Sequence, residues 1–562
     1  VNFNLVIGGE AGQGLKTVQN ILKKSFFRLG FNLHTSKDYM SRIRGGHNFM
    51  NLRIGDEPIS APTTAEDILV ALNKETIDIH AQRVTKEGVI LHDGEVETDP
   101  QLISLPAGEI AKEAGNKKTA NTVFMGAVFK LLGLDLQVIR QVLGEYFANK
   151  EEVKEVNITA LEQGYQQVET KFSLPEVEQS ADQLLLNGNQ AVGLGAAVAD
   201  VDFYSAYPMT PATGIMNYLA GKENELEIAV EQAEDELAAI NMALGASYSG
   251  LRAMTGTSGG GFSLMNEGFS LAGITELPLV IAEVQRPGPA TGLPTRTGQG
   301  DLSFIINSGQ GEFPKVVLAP RNVEDAFYQT FRAFNLAENY QLPVVIVSDQ
   351  FLADSSQNVP EFNLEELEIK NGYLSATEVA NRTDYQRYQI TESGISPLAY
   401  PGQIEGATVM VDSDEHDEEG YIIEDAATRK QMVEKRQRKV DKLIREELQE
   451  PKYAGPEKID YLLVSWGSTY GPLLEARNKL ASEAEIGLLS FSDVWPLPTE
   501  RLADLLQQNP KLVVVEGNSE GQFAQLIRQE TGQEADYNLL KYDGRPFHGP
   551  ELYHRLQKEV IQ

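Results

Sequence analysis

The 562-residue sequence contains no cysteine. Disulfides, zinc–thiolate sites and cysteine-held iron–sulfur clusters are therefore excluded from this polypeptide. Positive charge is short as well. Against 81 Asp and Glu stand 48 Lys and Arg, a formal net charge of −33, which argues against charge-driven binding to DNA, RNA or an anionic membrane face. No apolar run approaches the ~20 residues that span a bilayer. The opening VNFNLVIGGEAGQG reaches glycines after seven residues without a basic leader, so no signal peptide is expected and the expected compartment is the cytoplasm. No H-E-x-x-H spacing occurs among His34, His47, His80, His92, His416, His548 and His554. No metal site is expected in this chain.

What is present is an ordinary globular balance, 41% hydrophobic and 23% charged. At ~100–200 residues per domain the length predicts three to five domains. Short apolar runs alternate with longer helical patterns, the mark of a multidomain α/β fold. The first block, 1–172, opens with the strand FNLVI (3–7), a glycine turn and a helix from Leu15 to Leu29; further strands are expected at 68–72 and 88–92. A polar, aperiodic stretch at 173–183 reads as a linker. The second block, 184–355, has buried strands at 277–284 and 342–347, and a strand at Leu226–Val230 leading into an acidic helix start at Glu231. Residues 356–455 form an acidic, then heavily charged, connector expected to pack across domains. A last small α/β unit fills 456–562, with strands at 461–465 and 511–516.

The N-terminal loop has Gly9-x-x-Gly12-x-Gly14, the reverse order of a Rossmann fingerprint, and Leu15 precedes Lys16, unlike a Walker A loop. Its glycines and following helix N-terminus either face an anion or simply allow tight strand–helix packing. Arg44 and His47, in SRIRGGH, are candidates with Gly12 and Gly14 for holding an anion, a phosphate or carboxylate; charged subunit contacts explain them equally well. In the central block three loops stand out. Tyr207-Pro208-Met209-Thr210-Pro211 presents a threonine hydroxyl on a stiffened loop. Thr257-Ser258-Gly259-Gly260-Gly261-Phe262 brings backbone close to a ligand. Gln285 to Thr297 carries Arg286 and Arg296 among Gly, Pro and Thr, a natural carboxylate clamp. Between the first two, Glu231, Glu234, Asp235 and Glu236 sit where acidic residues usually just complement a helix dipole.

In their order these pieces resemble the alpha subunit of the 2-oxoacid:ferredoxin oxidoreductases, of the 2-oxoglutarate synthase type with a gamma domain fused in front. IGGEAGQG and SRIRGGHNF look like the gamma domain, YPMTPAT and QRPGPATGLPTRTGQGDL like the substrate loops. GISPLAYPG, DSDEHDEEG and KRQRK look like the connector, and SWGSTYGPLLEA, DVWPLP and VVVEGNSEGQFAQLIR like a transketolase C-terminal-like domain.

The resemblance covers essentially the whole chain. It implies a pyrimidine-binding fold in 184–355 holding one half of thiamine diphosphate. The family places a Glu nine residues before a helix Gly, and Glu236 precedes Gly245 by that spacing. Glu236 is thereby the catalytic candidate, hydrogen-bonding the aminopyrimidine ring, with Thr257, Ser258, Gly259, Gly260 and Phe262 as further cofactor contacts. Tyr207, Thr210, Arg286, Arg296 and Thr297 are the substrate candidates, the two arginines open between the 1-carboxylate and a distal carboxylate.

The family's Gly-Asp-Gly motif for the diphosphate and magnesium does not occur here. A beta subunit is therefore expected to bring the other half of the coenzyme, Mg2+ and a 4Fe-4S cluster, in an (alpha-beta)2 heterotetramer with CoA as co-substrate and ferredoxin as electron acceptor. Glu516-Gly517-Asn518 is read either as a CoA contact or as a helix-capping turn. Two alternatives stand beside 2-oxoglutarate oxidation: the same chemistry on pyruvate, branched-chain or aryl 2-oxoacids, and a noncatalytic CoA- or nucleotide-binding assembly protein.

Overall fold

The computed structural model describes residues 2–42, 45–94, 101–178, 182–382 and 384–562. Two compact units divide the chain. The first takes the residues up to Leu186 with Ser355–Glu361 and His548–Glu551; the second takes Asn187–Asp354, Phe362–Phe547 and Leu552–Gln562. Among the described residues no helix is long and apolar enough to cross a membrane.

The first unit is built on an eight-stranded sheet whose central strand, Asn2–Ala11, runs parallel to Glu66–Ala71 and antiparallel to Gly45–Gly55. Its apolar run is buried on both faces, and the helix Leu15–Arg28 packs Val18, Ile21, Leu22 and Phe26 into the same core. Residues 356–360, expected to open the connector, instead form a strand antiparallel to Asn32–Asp38. The neighbouring strand begins at Gln183, the last residue of the expected linker. Ser356–Pro360 is polar and carries little strand propensity. Its place is fixed from outside: the Ser356 N–H donates to Thr35 Oγ1 at 3.0 Å, and Asn358 Oδ1 accepts the Leu33 N–H at 2.9 Å.

The second unit holds two sheets. Seven strands follow the order Asp493–Trp495, Val316–Leu318, Pro343–Asp349, Leu279–Gln285, Ala253–Thr257, Phe203–Ala206 and Ala229–Gln232, parallel except for the first. Leu279–Gln285 and Pro343–Asp349 are buried at every residue, which is why they read as largely apolar runs rather than alternating ones. The five-stranded sheet contains Tyr461–Trp466, Ile486–Phe491 and Lys511–Glu516. Asp493–Trp495 crosses from this C-terminal part to edge the larger sheet.

The segment expected as one strand at Leu226–Val230 divides. Glu223–Leu226 is a helical turn, Glu227 takes φ +55°, and the strand is Ala229–Gln232. Pairing with Phe203–Ala206 draws Glu231 and Gln232 into the sheet, so the next helix starts at Glu236 rather than Glu231. Asp235 is its cap, accepting the Ala238 N–H at 2.7 Å.

The charged connector helix, Ala426–Glu446, buries three of its cations. Lys435 Nζ donates to Glu276 Oε1 at 2.6 Å, and Lys439 pairs with the other oxygen. Arg387 donates to the carbonyls of Thr275 and Glu276 at 3.2 and 2.8 Å, at the carboxyl end of the helix Asn266–Thr275. Burial lowers the Lys435 ammonium to about 7. Burial also opposes the Glu276 charge, but Lys435, Lys439 and Arg387 outweigh it and hold the carboxyl far below its usual range.

Candidate functional site

In open α/β sheets, ligands collect at the carboxyl ends of strands where the strand order reverses. Here the reversal lies between Phe203–Ala206 and Ala253–Thr257. From the first, the chain steps outward to Ala229–Gln232 and then returns on the opposite side as Ala253–Thr257. The loops leaving these two strands are the 207–212 segment and the 258–261 glycine turn. Leu279–Gln285, next in the sheet, delivers the loop that begins at Arg286.

Glu236 opens its helix and is 4% exposed. Its Oε1 is buried with no hydrogen-bond partner among the described residues. A Cβ on Gly261 would collide with Thr257 Oγ1 and lie 2.6 Å from Glu236 Oε1. Only a glycine leaves room there for the carboxyl group. Ser258 Oγ is also buried without a partner, and the Ser258 side chain caps no backbone group. A Cβ on Gly259 would meet the Asp301 carboxylate.

Arg286 Nη1 donates to the Thr210 carbonyl at 2.7 Å, while its Nε is buried and unpartnered. Burial lowers its pKa, against the pull of Asp301 and then Glu236, so the guanidinium lies in the field of both carboxyl groups. Asp301 is raised to about 6 by burial. Glu283, on the strand behind, is pushed well above the carboxylate range by burial and then by Asp301. Burial also raises Asp349, against hydrogen bonds from Ser468, Leu352, Thr297 and Phe351.

Residues 194–435 match the family described as pyruvate flavodoxin/ferredoxin oxidoreductase, thiamine diphosphate-binding, and residues 4–167 match pyruvate ferredoxin/flavodoxin oxidoreductase. The 2-oxoacid:ferredoxin oxidoreductase subunit alpha of a Sulfolobus species is 34% identical across all of this chain and 97% of its own length. The chain belongs to the 2-oxoacid:ferredoxin oxidoreductase alpha-subunit family. The 2-oxoglutarate oxidoreductase subunit KorA of Mycobacterium tuberculosis is 29% identical over 93% of this chain and 87% of its own. A 2-oxoglutarate:ferredoxin oxidoreductase from Magnetococcus marinus, solved with 2-oxoglutarate, coenzyme A and succinyl-CoA bound, is 31% identical. It superposes over the whole of both chains with a TM-score of 0.92. Like these relatives, the chain is an oxidoreductase subunit with a thiamine diphosphate-binding domain.

In this alpha subunit the other expected residues divide. Phe262 is wholly buried, edge-on to Phe269 and Phe304 at 5.4 and 5.6 Å, so its ring is spent in the core. A Cβ on Gly260 would sit 3.6 Å from the Ala290 carbonyl, an ordinary contact. Tyr207 is 41% exposed. The Thr297 hydroxyl is occupied by Asp349 Oδ1 at 3.2 Å and the Phe351 N–H at 3.3 Å. Arg296 packs its Cβ and Cγ against Gly544, on the C-terminal loop. Gly245, the family-spaced helix glycine, has open space around its Cβ position. It shares an exposed helix face with Leu237 and Met242, each 42% exposed.

The 516–518 turn caps a helix. Glu516 accepts the N–H groups of Phe523 and Ala524, and Asn518 Oδ1 accepts that of Gly521 at 2.8 Å, at the start of Gln522–Thr531. The same turn holds the substrate loop: Gln299 exchanges two 2.8 Å hydrogen bonds with Gly517 and donates to the Trp466 carbonyl at 3.0 Å.

In the first unit Gly12 and Gly14 take φ +95° and +79°, and Gly14 precedes the helix Leu15–Arg28. Arg44 lies outside the described residues. His47 is buried, its Nε2 3.0 Å from His80 Nε2, whose Nδ1 lies 2.7 Å from Glu66 Oε1. Burial, then His80, lowers His47 to about 4, so at neutral pH it brings no positive charge to an anion.

Sequence reasoning missed Glu283, Asp301 and Asp349. The signal for Glu283 was a carboxyl group inside the apolar run LPLVIAEVQ, a residue type seldom buried unpaired.

Proposed function

We propose that this chain is the pyrimidine-side half of a thiamine diphosphate-dependent, CoA-acylating 2-oxoglutarate:ferredoxin oxidoreductase. The reading rests above all on one observation: a buried carboxyl oxygen of Glu236 without a partner, set against Gly261 at the sheet's switch point. A buried acceptor of this kind calls for a donor from outside the chain. The coenzyme's aminopyrimidine ring fits that need, with Thr257 and the 258–261 backbone beside it.

When bound, thiamine diphosphate supplies the carbon nucleophile and electron sink that 2-oxoacid decarboxylation requires. Glu236 Oε1 holds a proton at the aminopyrimidine ring nitrogen. Arg286, steadied by the Thr210 carbonyl, receives the 1-carboxylate, and Arg296 is the candidate for the distal carboxylate. The overall conversion takes 2-oxoglutarate, CoA and two oxidised ferredoxins to succinyl-CoA, carbon dioxide, two reduced ferredoxins and a proton. A beta subunit supplies the diphosphate half of the site, its Mg2+ and the 4Fe-4S cluster, for which this cysteine-free chain has no thiolates. The exposed face carrying Leu237, Met242 and Gly245 supports a partner there. An (alpha-beta)2 assembly in the cytoplasm completes the reading.

The bound 2-oxoglutarate and succinyl-CoA of the Magnetococcus marinus relative favour 2-oxoglutarate as the acid. Pyruvate and branched-chain or aryl acids are the competing substrates. The test is 2-oxoacid- and CoA-dependent dye reduction by the complex reconstituted with its partner subunit. Glu236→Ala should abolish turnover while the heteromer still assembles; near-normal turnover would refute the assignment. Arg296→Ala should raise KM for 2-oxoglutarate far more than for pyruvate. An equal rise for both acids would exclude the distal-carboxylate role.

A further inference from the structure

Two buried carboxyl groups, one of them in the field of Arg286, are not used by the reaction above. Glu283 is the fifth residue of a central strand, in register with Thr257 on one side and Val347 on the other, and none of its surface is exposed. Neither of its oxygens has a donor among the described residues. Asp301 stands at the N-cap of Leu302–Asn307, yet its side chain caps nothing. Its backbone N–H donates to Gln285 Oε1 at 2.9 Å, which turns the carboxyl group inward, and its Oδ2 is likewise buried without a donor. The two carboxyl groups lie within hydrogen-bonding reach of each other.

Two ionised carboxylates are acceptors only, and buried side by side they repel. A single proton between them satisfies both. We propose that Glu283 and Asp301 share one proton as a carboxyl pair, and that the pair is the positioning element for Arg286, presenting one negative charge behind the guanidinium instead of two. With two charges the pair would compete with the incoming 2-oxoacid carboxylate for Arg286. With none, nothing would orient the buried Nε side of the guanidinium. The other ionisable groups around the pair are Asp349 on the adjacent strand and Arg286, whose guanidinium also feels Glu236. Asp349 is already engaged by Thr297 Oγ1, the Leu352 N–H and Ser468. The raised pKa values of Glu283 and Asp301 accord with the pair.

The proposal rests on Arg286 as the carboxylate clamp, and its test separates the two ideas. In the reconstituted complex, kcat/KM for the 2-oxoacid should fall on the acid side with a midpoint near the Asp301 value of about 6. Glu283→Gln keeps the shape but replaces the carboxylic O–H that helps hold Asp301 down by a weaker amide N–H, so that midpoint should move up. Asp301→Asn should remove the midpoint altogether. pH-difference infrared spectra should show a protonated carboxyl C=O band above the midpoint, which Glu283→Gln abolishes above its own. A band that survives there in Glu283→Gln overturns the shared proton; a lost band without a raised midpoint overturns the positioning role. If Arg286→Gln leaves the 2-oxoacid KM unchanged, the clamp reading fails, while the infrared band still reports on the pair.

Discussion

Gly261→Ala isolates the packing around Glu236 from the stability of the fold. Gly261 lies in the short helix Gly259–Leu264 with no positive φ, so alanine adopts its backbone without strain. Replacing glycine by alanine inside a helix gains up to about 1 kcal/mol. The new methyl carbon, however, would overlap Thr257 Oγ1 and stand 2.6 Å from Glu236 Oε1 and 2.9 Å from its Cγ. Overpacking of this kind costs about 1–3 kcal/mol, so the net change in stability should be small, a loss of about 2 kcal/mol at most. Function should suffer far more. To reach an ordinary contact the Glu236 oxygen must retreat by roughly 0.8 Å, and a misplacement of about 1 Å typically costs on the order of a hundredfold in rate. The assays are thermal unfolding of the variant and 2-oxoacid-dependent dye reduction by the reconstituted complex. A variant that assembles normally and turns over within twofold of the parent would refute the reasoning.

Asp301→Asn should make the protein more stable at pH 8. The folded aspartate is raised to about 6 by burial, so its stabilising contribution is full below the unfolded value near 4 and lost as pH rises through 6. Asparagine does not lose it, and the advantage, at most about 3 kcal/mol from linkage, should grow from pH 4 to 6 and vanish below. Equal unfolding curves at pH 8 would contradict this. Glu276→Gln leaves Lys435, Lys439 and Arg387 buried without their carboxylate, and should lower stability by about 3–5 kcal/mol in denaturant unfolding. A loss below about 1 kcal/mol would show that the carboxyl end of the helix Asn266–Thr275 already neutralises the cluster. Gln299→Ala removes the hydrogen bonds that fasten the substrate loop to Gly517 and Trp466. At about 1 kcal/mol each, the 2-oxoacid KM should rise several-fold with little change in the CoA KM. Equal rises in both would mean the loop is not what Gln299 holds.

Much of the architecture was legible from local pattern. The runs FNLVI, LPLVIAEV and LPVVIV were readable as buried strands, because they are short, rich in β-branched and aliphatic side chains and bounded by turn residues. The three central loops were legible as loops as well, since Gly, Pro and Thr cluster after such strands. The complete lack of cysteine excluded a cysteine-held iron–sulfur cluster from this polypeptide. Boundaries were less readable. Leu226–Val230 split because Glu231 and Gln232 pair with Phe203–Ala206, and Asp235 made the better cap.

Tertiary structure decided the rest. Ser356–Pro360 is a strand only because Asn32–Asp38 is there to receive it. Of the glycines near Glu236, the family-spaced Gly245 stands in open space, whereas Gly261 makes room for the carboxyl group. Glu283 and Asp301, eighteen residues apart in sequence, meet because the substrate loop folds back over the end of its own strand. Propensity depends on near neighbours along the chain and survives in the sequence. Whether a charge is buried, paired or left bare depends on which distant elements close over it, and that exists only once the chain has folded.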